Sequence, residues 1–417
     1  MSAPTKDVPV KLADEHLAEL ARLTDTAGGK VVGTLRQRLD HPHAHYYVGE
    51  GKAGELKELV EANQADLVIF DEELTPAQGK NLEDHVGVRV MDRSELILDI
   101  FATRARSRES RMQVELAQLE YLLPRLKRMW SHLSRIRGGI GLRGPGETQL
   151  ETDRRMIGEK IADLKTKLRD VARAREVQRK SRAGQFRASL VGYTNAGKSS
   201  LLRTLSGDAD VFVEDRLFAT LDSTTRTVEL GDGYTALVTD TVGFIRKLPH
   251  HLVASFRSTL EEAREADLLL HVVDGSHPDW EEQFEVVDAV LAELELDERP
   301  QILVFNKCDR LTHAEEEVLR DRTRAFESRP AVFVSALQPE SLLALRETLK
   351  ARMRHRLARV QVRVPTEDGE LLAWLYREGE VLERSDHDAH IDVVARLPGP
   401  QLAQLRRRAG IRVEEVA

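Results

Sequence analysis

The chain has 417 residues, 41% of them hydrophobic and 32% charged, and a formal net charge of −8. That length exceeds one ordinary domain, and no apolar run approaches the roughly 18 residues that cross a bilayer. The single cysteine, Cys308, excludes an internal disulfide framework and a multi-cysteine zinc site. The polar, acidic opening MSAPTKDVPVKLADEHL is unlike a signal or transit peptide, so a cytoplasmic protein without a membrane partner is expected.

Residues 1–100 read as a small α/β domain. KVVGTLRQRL and ADLVIF have strand character, helical patterns lie near residues 55–61 and 75–84, and VRVMD reads as a third strand. An apolar stretch, LILDIFA, then leads into a segment of different character.

Residues 101–185 are basic. Between residues 101 and 187 there are 22 Lys and Arg against 10 Asp and Glu, a balance of +12, while the rest of the chain carries −20. Such a run is ordinarily a solvated helical face, and a phosphate-bearing partner becomes attractive only if the shape suits insertion. Leu116, Leu119, Leu123, Leu126 and Trp130 recur at heptad-like intervals, and Ile157, Ile161, Leu164, Leu168 and Val171 repeat them. Two such seams predict an antiparallel helical hairpin with a kink at Pro124. The stretch 131–149 between them holds five glycines and Arg135, Arg137 and Arg143 but little apolar content. It predicts a flexible, basic tip on a two-helix arm. Thr148 and Glu151 fit a capping box for the second helix.

Residues 186–357 alternate short apolar strands (RASLV, TALVTD, DLLLHVVD, QILVFN, AVFVS) with helical patterns, as a buried, mostly parallel sheet requires. Residues 358–417 read as a separate small α+β domain, roughly βαββα, with no catalytic signature.

The chemistry sits in the third unit. GYTNAGKSS follows RASLV and opens a helix, matching G-x-x-x-x-G-K-[ST] with Gly192, Gly197, Lys198 and Ser199. Glycines let backbone N–H groups turn inward around a phosphate, and the helix N-terminus adds positive potential. Tyr193, Thr194, Asn195 and Ala196 complete the loop, and Ser200 follows it. Lys198 is expected on the β- and γ-phosphates and Ser199 on Mg2+. DTVGF ends the next strand, placing Asp240 toward Mg2+, Gly243 N–H toward the γ-phosphate, and Thr241 and Val242 between them. In FNKCD, the Asp309 carboxylate suits the paired N–H donors of guanine, which adenine lacks, while Asn306 and Lys307 brace the loop. Ser335, Ala336 and Leu337 offer a backbone N–H to guanine O6. FATLDSTTRT, with Phe218, Ala219 and Thr220, is the expected mobile loop whose threonine closes over the metal; Thr220 is preferred over Thr224 and Thr225. Lys198, Thr220 and Gly243 are the expected catalytic contacts.

The order and spacing of these five elements resemble the Ras-like GTPases. The resemblance implies a six-stranded, mostly parallel sheet, GTP and GDP as substrate and product, and Mg2+. One position departs: Phe244 stands where those enzymes carry a water-positioning glutamine. A phenyl ring cannot orient water by hydrogen bonding, so intrinsic hydrolysis is expected to be slow. Asn195 either stabilises the loop or offers its carbonyl to K+, as in GTPases that share an asparagine there.

The flanks DIFATRARSRESRMQVELAQLEYLLPRL and GGIGLRGPGETQLETDRRMI, with LFATLDSTTR and DTVGFIRKLPHHLVASFRSTLEE, resemble the HflX family of translational GTPases. YYVGEGKAGEL in the first domain agrees. That resemblance implies a monomeric protein that binds the large ribosomal subunit and rRNA through the arm and N-terminal domain and separates the subunits of stalled or stressed ribosomes. It also raises ATP binding by the N-terminal domain, for which Gly49, Gly51 and Lys52 are the available positions, although a lone G-x-G-K is more often a loop. The competing expectation is a regulatory switch that grips a protein partner through the arm without touching RNA.

Overall fold

Ala13, Leu20 and Leu23 recur at helical intervals, and they bury one face of α1 (Val10–Thr26). Helix α2 (Glu50–Asn63), β1 (Leu67–Phe70), α3 (Pro76–Val86), β2 (Arg89–Asp92) and α4 (Arg93–Arg104) follow, with β1 and β2 parallel. The computed structural model describes residues 1–129, 145–180, 185–247, 262–408 and 411–416. Thr75 and Gln78 form a complete capping box at the start of α3, and Asp92 caps α4. The expected strand at residues 30–39 is not a regular strand. Residues 35–39 instead run beside residues 2–6 through the isolated bridges Ser2↔Arg36 and Thr5↔Leu39. Pro4 has no N–H to donate, which interrupts that ladder.

Helices α5 (Arg108–Met129) and α6 (Pro145–Lys180) lie against each other. Leu116 and Leu164 are buried at the seam, the other described seam leucines and isoleucines are partly covered, and Glu115–Lys160 and Glu120–Lys165 pair across it. Pro124 lies within α5, which continues to Met129. Because α6 begins at Pro145, Thr148 is inside the helix and is not its cap. Trp130 and residues 131–144, including Arg135, Arg137 and Arg143, lie outside the described residues.

The central sheet has β3 (Phe186–Gly192), β4 (Thr224–Gly231), β5 (Tyr234–Asp240), β6 (Leu268–Asp274), β7 (Gln301–Asn306) and β8 (Ala331–Phe333) in the order β4-β5-β3-β6-β7-β8. Only β4 is antiparallel to its neighbour. Helices α7 (Lys198–Ser206), α8 (Trp280–Glu293), α9 (His313–Phe326) and α10 (Leu343–Arg354) belong to this unit, whose inner strands β3, β6 and β7 are almost wholly buried. This is the expected six-stranded, mostly parallel sheet.

The last unit runs β9 (Ala358–Pro365), α11 (Gly369–Glu378), β10 (Glu380–Asp386), β11 (His390–Leu397), α12 (Gly399–Arg406) and β12 (Arg412–Glu415). Its four strands are antiparallel in the order β10-β11-β9-β12, so a final strand extends the expected βαββα. Val360, Val362 and Val364 point into its core with the two-residue period of a half-buried strand. Among the described residues no helix is long and apolar enough to cross a membrane.

Candidate functional site

In an open parallel sheet, loops at the carboxyl ends of the strands surround the natural crevice. The loop from β3 to α7 lies there, and its glycines are sterically required. Gly192 has φ +151°, and a Cβ on it would meet the Val272 carbonyl oxygen at 2.2 Å; Gly197 has φ +93°, and a Cβ would meet Asn306 Nδ2 at 2.2 Å. Gly243 faces the loop so closely that a Cβ would lie 2.6 Å from Thr194 Cα and 3.0 Å from Lys198 Nζ. Thr194, Asn195, Lys198, Ser199, Ser200, Ala219, Thr220 and Gly243 line one cleft.

Three oxygen-bearing side chains converge in it. Ser199 Oγ donates to Asp240 Oδ2 at 2.6 Å and lies 2.7 Å from Thr220 Oγ1. Asp240 Oδ1 is buried without a hydrogen-bond partner among the described residues. Burial raises the pKa of this carboxyl, against the pull of Lys198. Thr224 and Thr225, the alternatives to Thr220, open β4, and Thr225 Oγ1 lies 2.9 Å from Thr239 Oγ1 rather than in this cluster. The Lys198 ammonium folds onto its own loop, donating to the carbonyls of Gly192 at 3.1 Å and Tyr193 at 2.9 Å; burial lowers its pKa to about 8.

The segments 306–309 and 335–337 join the loop through one amide. Asn306 donates from Nδ2 to the Ala196 carbonyl and accepts the Ala336 N–H on Oδ1, both at 2.9 Å. Lys307 pairs with Asp274 at 2.7 Å, Ser335 Oγ donates to Asp309 Oδ1 at 2.5 Å, and Leu337 is 76% exposed at the rim. Two hydroxyls of the expected set turn away from the cleft: Thr241 lines it, but its Oγ1 donates to the Leu190 carbonyl inside the sheet, and the Tyr193 hydroxyl bonds outside it. Val242 is buried in the core. Asn195 Nδ2 donates to Asp215 Oδ1 at 3.0 Å.

The Tyr193 hydroxyl reaches Glu19 of α1 at 2.5 Å. Around that carboxylate is a buried charge cluster absent from the sequence reading. Arg93 donates to Glu19 at 2.5 Å, to Asp71 at 2.9 Å and to the Arg246 carbonyl at 3.2 Å. Arg246 in turn pairs with Asp71 at 3.0 Å and Glu19 at 2.9 Å. Phe244 is 1% exposed and lies in the same core as Tyr193, Phe218, Leu20, Ile97 and Phe101. Its ring therefore holds the N-terminal unit against the loop after Gly243. Phe218, at φ 54°, donates its N–H to Thr194 Oγ1 and meets the Phe101 ring edge-on at 4.7 Å.

Sequence comparison decides the affiliation. "GTPase HflX" of Alkalihalophilus pseudofirmus is 48% identical over 364 residues, spanning 86% of this chain and 84% of that protein. "GTPase HflX" of Escherichia coli strain K12 is 44% identical over 388 residues, spanning 92% and 90%. The chain belongs to the HflX family of GTPases. Four family models match in turn along the chain: GTP-binding GTPase N-terminal at 14–102, GTP-binding GTPase Middle Region at 104–182, 50S ribosome-binding GTPase at 187–307, and HflX C-terminal domain at 321–416. A solved GTP-binding protein from Sulfolobus solfataricus in complex with GDP is 23% identical, covering 84% of this chain and 97% of that one, with a TM-score of 0.44. As an HflX GTPase, the chain hydrolyses GTP.

Proposed function

We propose that this GTPase binds the large ribosomal subunit through its basic arm and N-terminal domain and separates the subunits of stalled or stressed ribosomes. The observation that carries the reading is where the arm is rooted. α4 and α5, at the start of the +12 segment, share one buried core with Phe218 and Phe244 beside the nucleotide loops. A cationic lever anchored on nucleotide-sensing loops couples GTP to an RNA surface, because Lys and Arg gain affinity by displacing counterions from phosphates. The family description over residues 187–307, 50S ribosome-binding GTPase, supports the same partner.

In this reading the loop amides and the α7 N-terminus hold the phosphates. Lys198 turns from the Gly192 and Tyr193 carbonyls to the β- and γ-phosphates, and the Gly243 N–H meets the γ-phosphate. Ser199, Thr220 and Asp240 fit Mg2+, since they are hard oxygen donors and Asp240 Oδ1 is buried and otherwise unpaired. Mg2+ bound there neutralises charge on the transferring phosphoryl group. Asp309 accepts from guanine N1–H and the 2-amino group, with the backbone of Ser335, Ala336 and Leu337 toward O6. The Asn195 carbonyl is the proposed ligand for K+; equal hydrolysis rates in potassium and sodium salts, with and without ribosomes, remove that ion.

Co-sedimentation with purified large subunits tests the partner. Binding is expected with a GTP analogue, weaker with GDP, and falling as salt rises. Absence of co-sedimentation in every nucleotide state contradicts the proposal.

A further inference from the structure

The loop that carries Thr220 also carries Asp222, and this residue reaches across to the root of the arm. Its Oδ2 accepts the backbone N–H groups of Arg106 at 3.0 Å and Ser107 at 3.1 Å. Its Oδ1 accepts the Ser107 hydroxyl at 2.5 Å. Ser107 Oγ meanwhile accepts the Ser110 N–H at 3.0 Å, which is a side-chain cap on the first turn of α5. The cap is thus shared: serine supplies the acceptor for the helix, and a carboxylate from the nucleotide-loop side accepts the hydrogen bond of the serine's own O–H.

A carboxylate at this place has three reasons to be there. The first turn of a helix leaves N–H groups unpaired, the helix dipole favours negative charge at its N-terminus, and charged acceptors make the stronger hydrogen bonds. Two further contacts flank the clamp. Arg104 pairs with Glu214 at 2.5 Å, and the Arg106 guanidinium lies 4.6 Å over the Phe212 ring. All three join residues 212–222 to residues 104–107, from one side of Thr220 to the other.

We infer that Asp222 is a positioning residue for GTP hydrolysis, fixing Thr220 to the base of α5 so that load on the arm resets the threonine over Ser199 and Asp240. Only Leu221 separates Asp222 from Thr220, two Cα steps of at most about 7 Å in all, so movement of the clamped end has little slack to absorb it. The Thr220 hydroxyl is 2.7 Å from Ser199 Oγ, and a shift of about 1 Å is enough to lose that geometry and with it a large factor in rate. The inference rests on the ribosomal reading above, because it is the ribosome that loads the arm.

The test compares the full-length protein with Asp222→Ala, Ser107→Ala and the double variant, with and without large subunits. GTP binding and co-sedimentation should persist in each. Large-subunit-stimulated kcat should fall by about tenfold or more with KM little changed, since the interaction acts on Thr220 rather than on ground-state binding. The double variant should lose no more than the worse single variant, because both remove one shared contact. Asp222→Asn, which keeps an acceptor for the amides, should recover part of the loss. If Asp222→Ala unfolds, Ser107→Ala and its effect on stimulation decide alone. Full stimulation in both single variants, or loss of GTP binding with the stimulated fold-change intact, overturns the clamp while leaving the ribosomal reading standing. A wild-type protein that large subunits neither bind nor stimulate overturns both.

Discussion

Glu19 of α1 accepts the hydroxyl of Tyr193, the second residue of the phosphate loop, at 2.5 Å, and this bond is one strand of a buried cluster with Arg93, Asp71 and Arg246. Removing one member leaves an opposite charge buried and uncompensated. Arg93→Ala should therefore cost about 3–5 kcal/mol of stability, read as a loss in urea midpoint. A variant as stable as the parent would show that the cluster contributes nothing net.

The same cluster sets an acid limit. Burial would raise the Asp71 and Glu19 carboxyls, but the guanidiniums of Arg246 and Arg93 outweigh it and hold both below the ordinary range. A carboxyl whose folded pKa is depressed contributes stability above its unfolded pKa, about 4, and loses it as pH falls through the folded value. Thermal stability should decline below about pH 4, and Glu19→Gln should flatten that decline while lowering stability at neutral pH. An unchanged acid slope in the variant would remove Glu19 from the account.

Phe244 answers the sequence's departure from the Ras-like pattern. Its ring is core, so Phe244→Gln buries an amide without evident partners and should destabilise by about 3 kcal/mol or more. It should not raise intrinsic hydrolysis. A single-turnover rate several-fold above the parent's would show that this position still addresses water.

Asp309→Asn should weaken GTP by about 100-fold, the loss of charged hydrogen bonds to the guanine donors, and improve xanthosine triphosphate. Competition binding with both nucleotides reads this directly; unchanged GTP affinity sinks the role of Asp309.

The parts of the site legible in the sequence are those where local chemistry leaves little choice. Gly192, Gly197 and Gly243 stand where a Cβ would strike backbone or side chain, and the alternation of apolar strands announces the sheet. Ser199 and Asp240 then meet because the start of α7 and the end of β5 lie at one edge of the sheet, and the loop before β4 brings Thr220 to them. Glu19, Asp71, Arg93 and Arg246 were invisible because each is an ordinary surface type in sequence, and only tertiary packing brings residues 19 and 246 together. Asp222 stands inside the FATLDSTTRT motif, but its partners lie more than a hundred residues earlier, so the motif alone assigns it no role. Helix α1 escaped notice because small and polar residues separate its few large apolar ones, and β12, RVEE, offers a single apolar residue to a period-two pattern.

The central claim is that the GTP-bound protein separates ribosomal subunits. Intact ribosomes should be incubated with the protein and a non-hydrolysable GTP analogue, then resolved on a density gradient. The account predicts that the intact-ribosome peak falls and free subunits rise, with the protein migrating with the large subunit; GDP in place of the analogue should leave most ribosomes intact. An intact-ribosome peak that is unchanged with the analogue, at protein in excess over ribosomes, would contradict it.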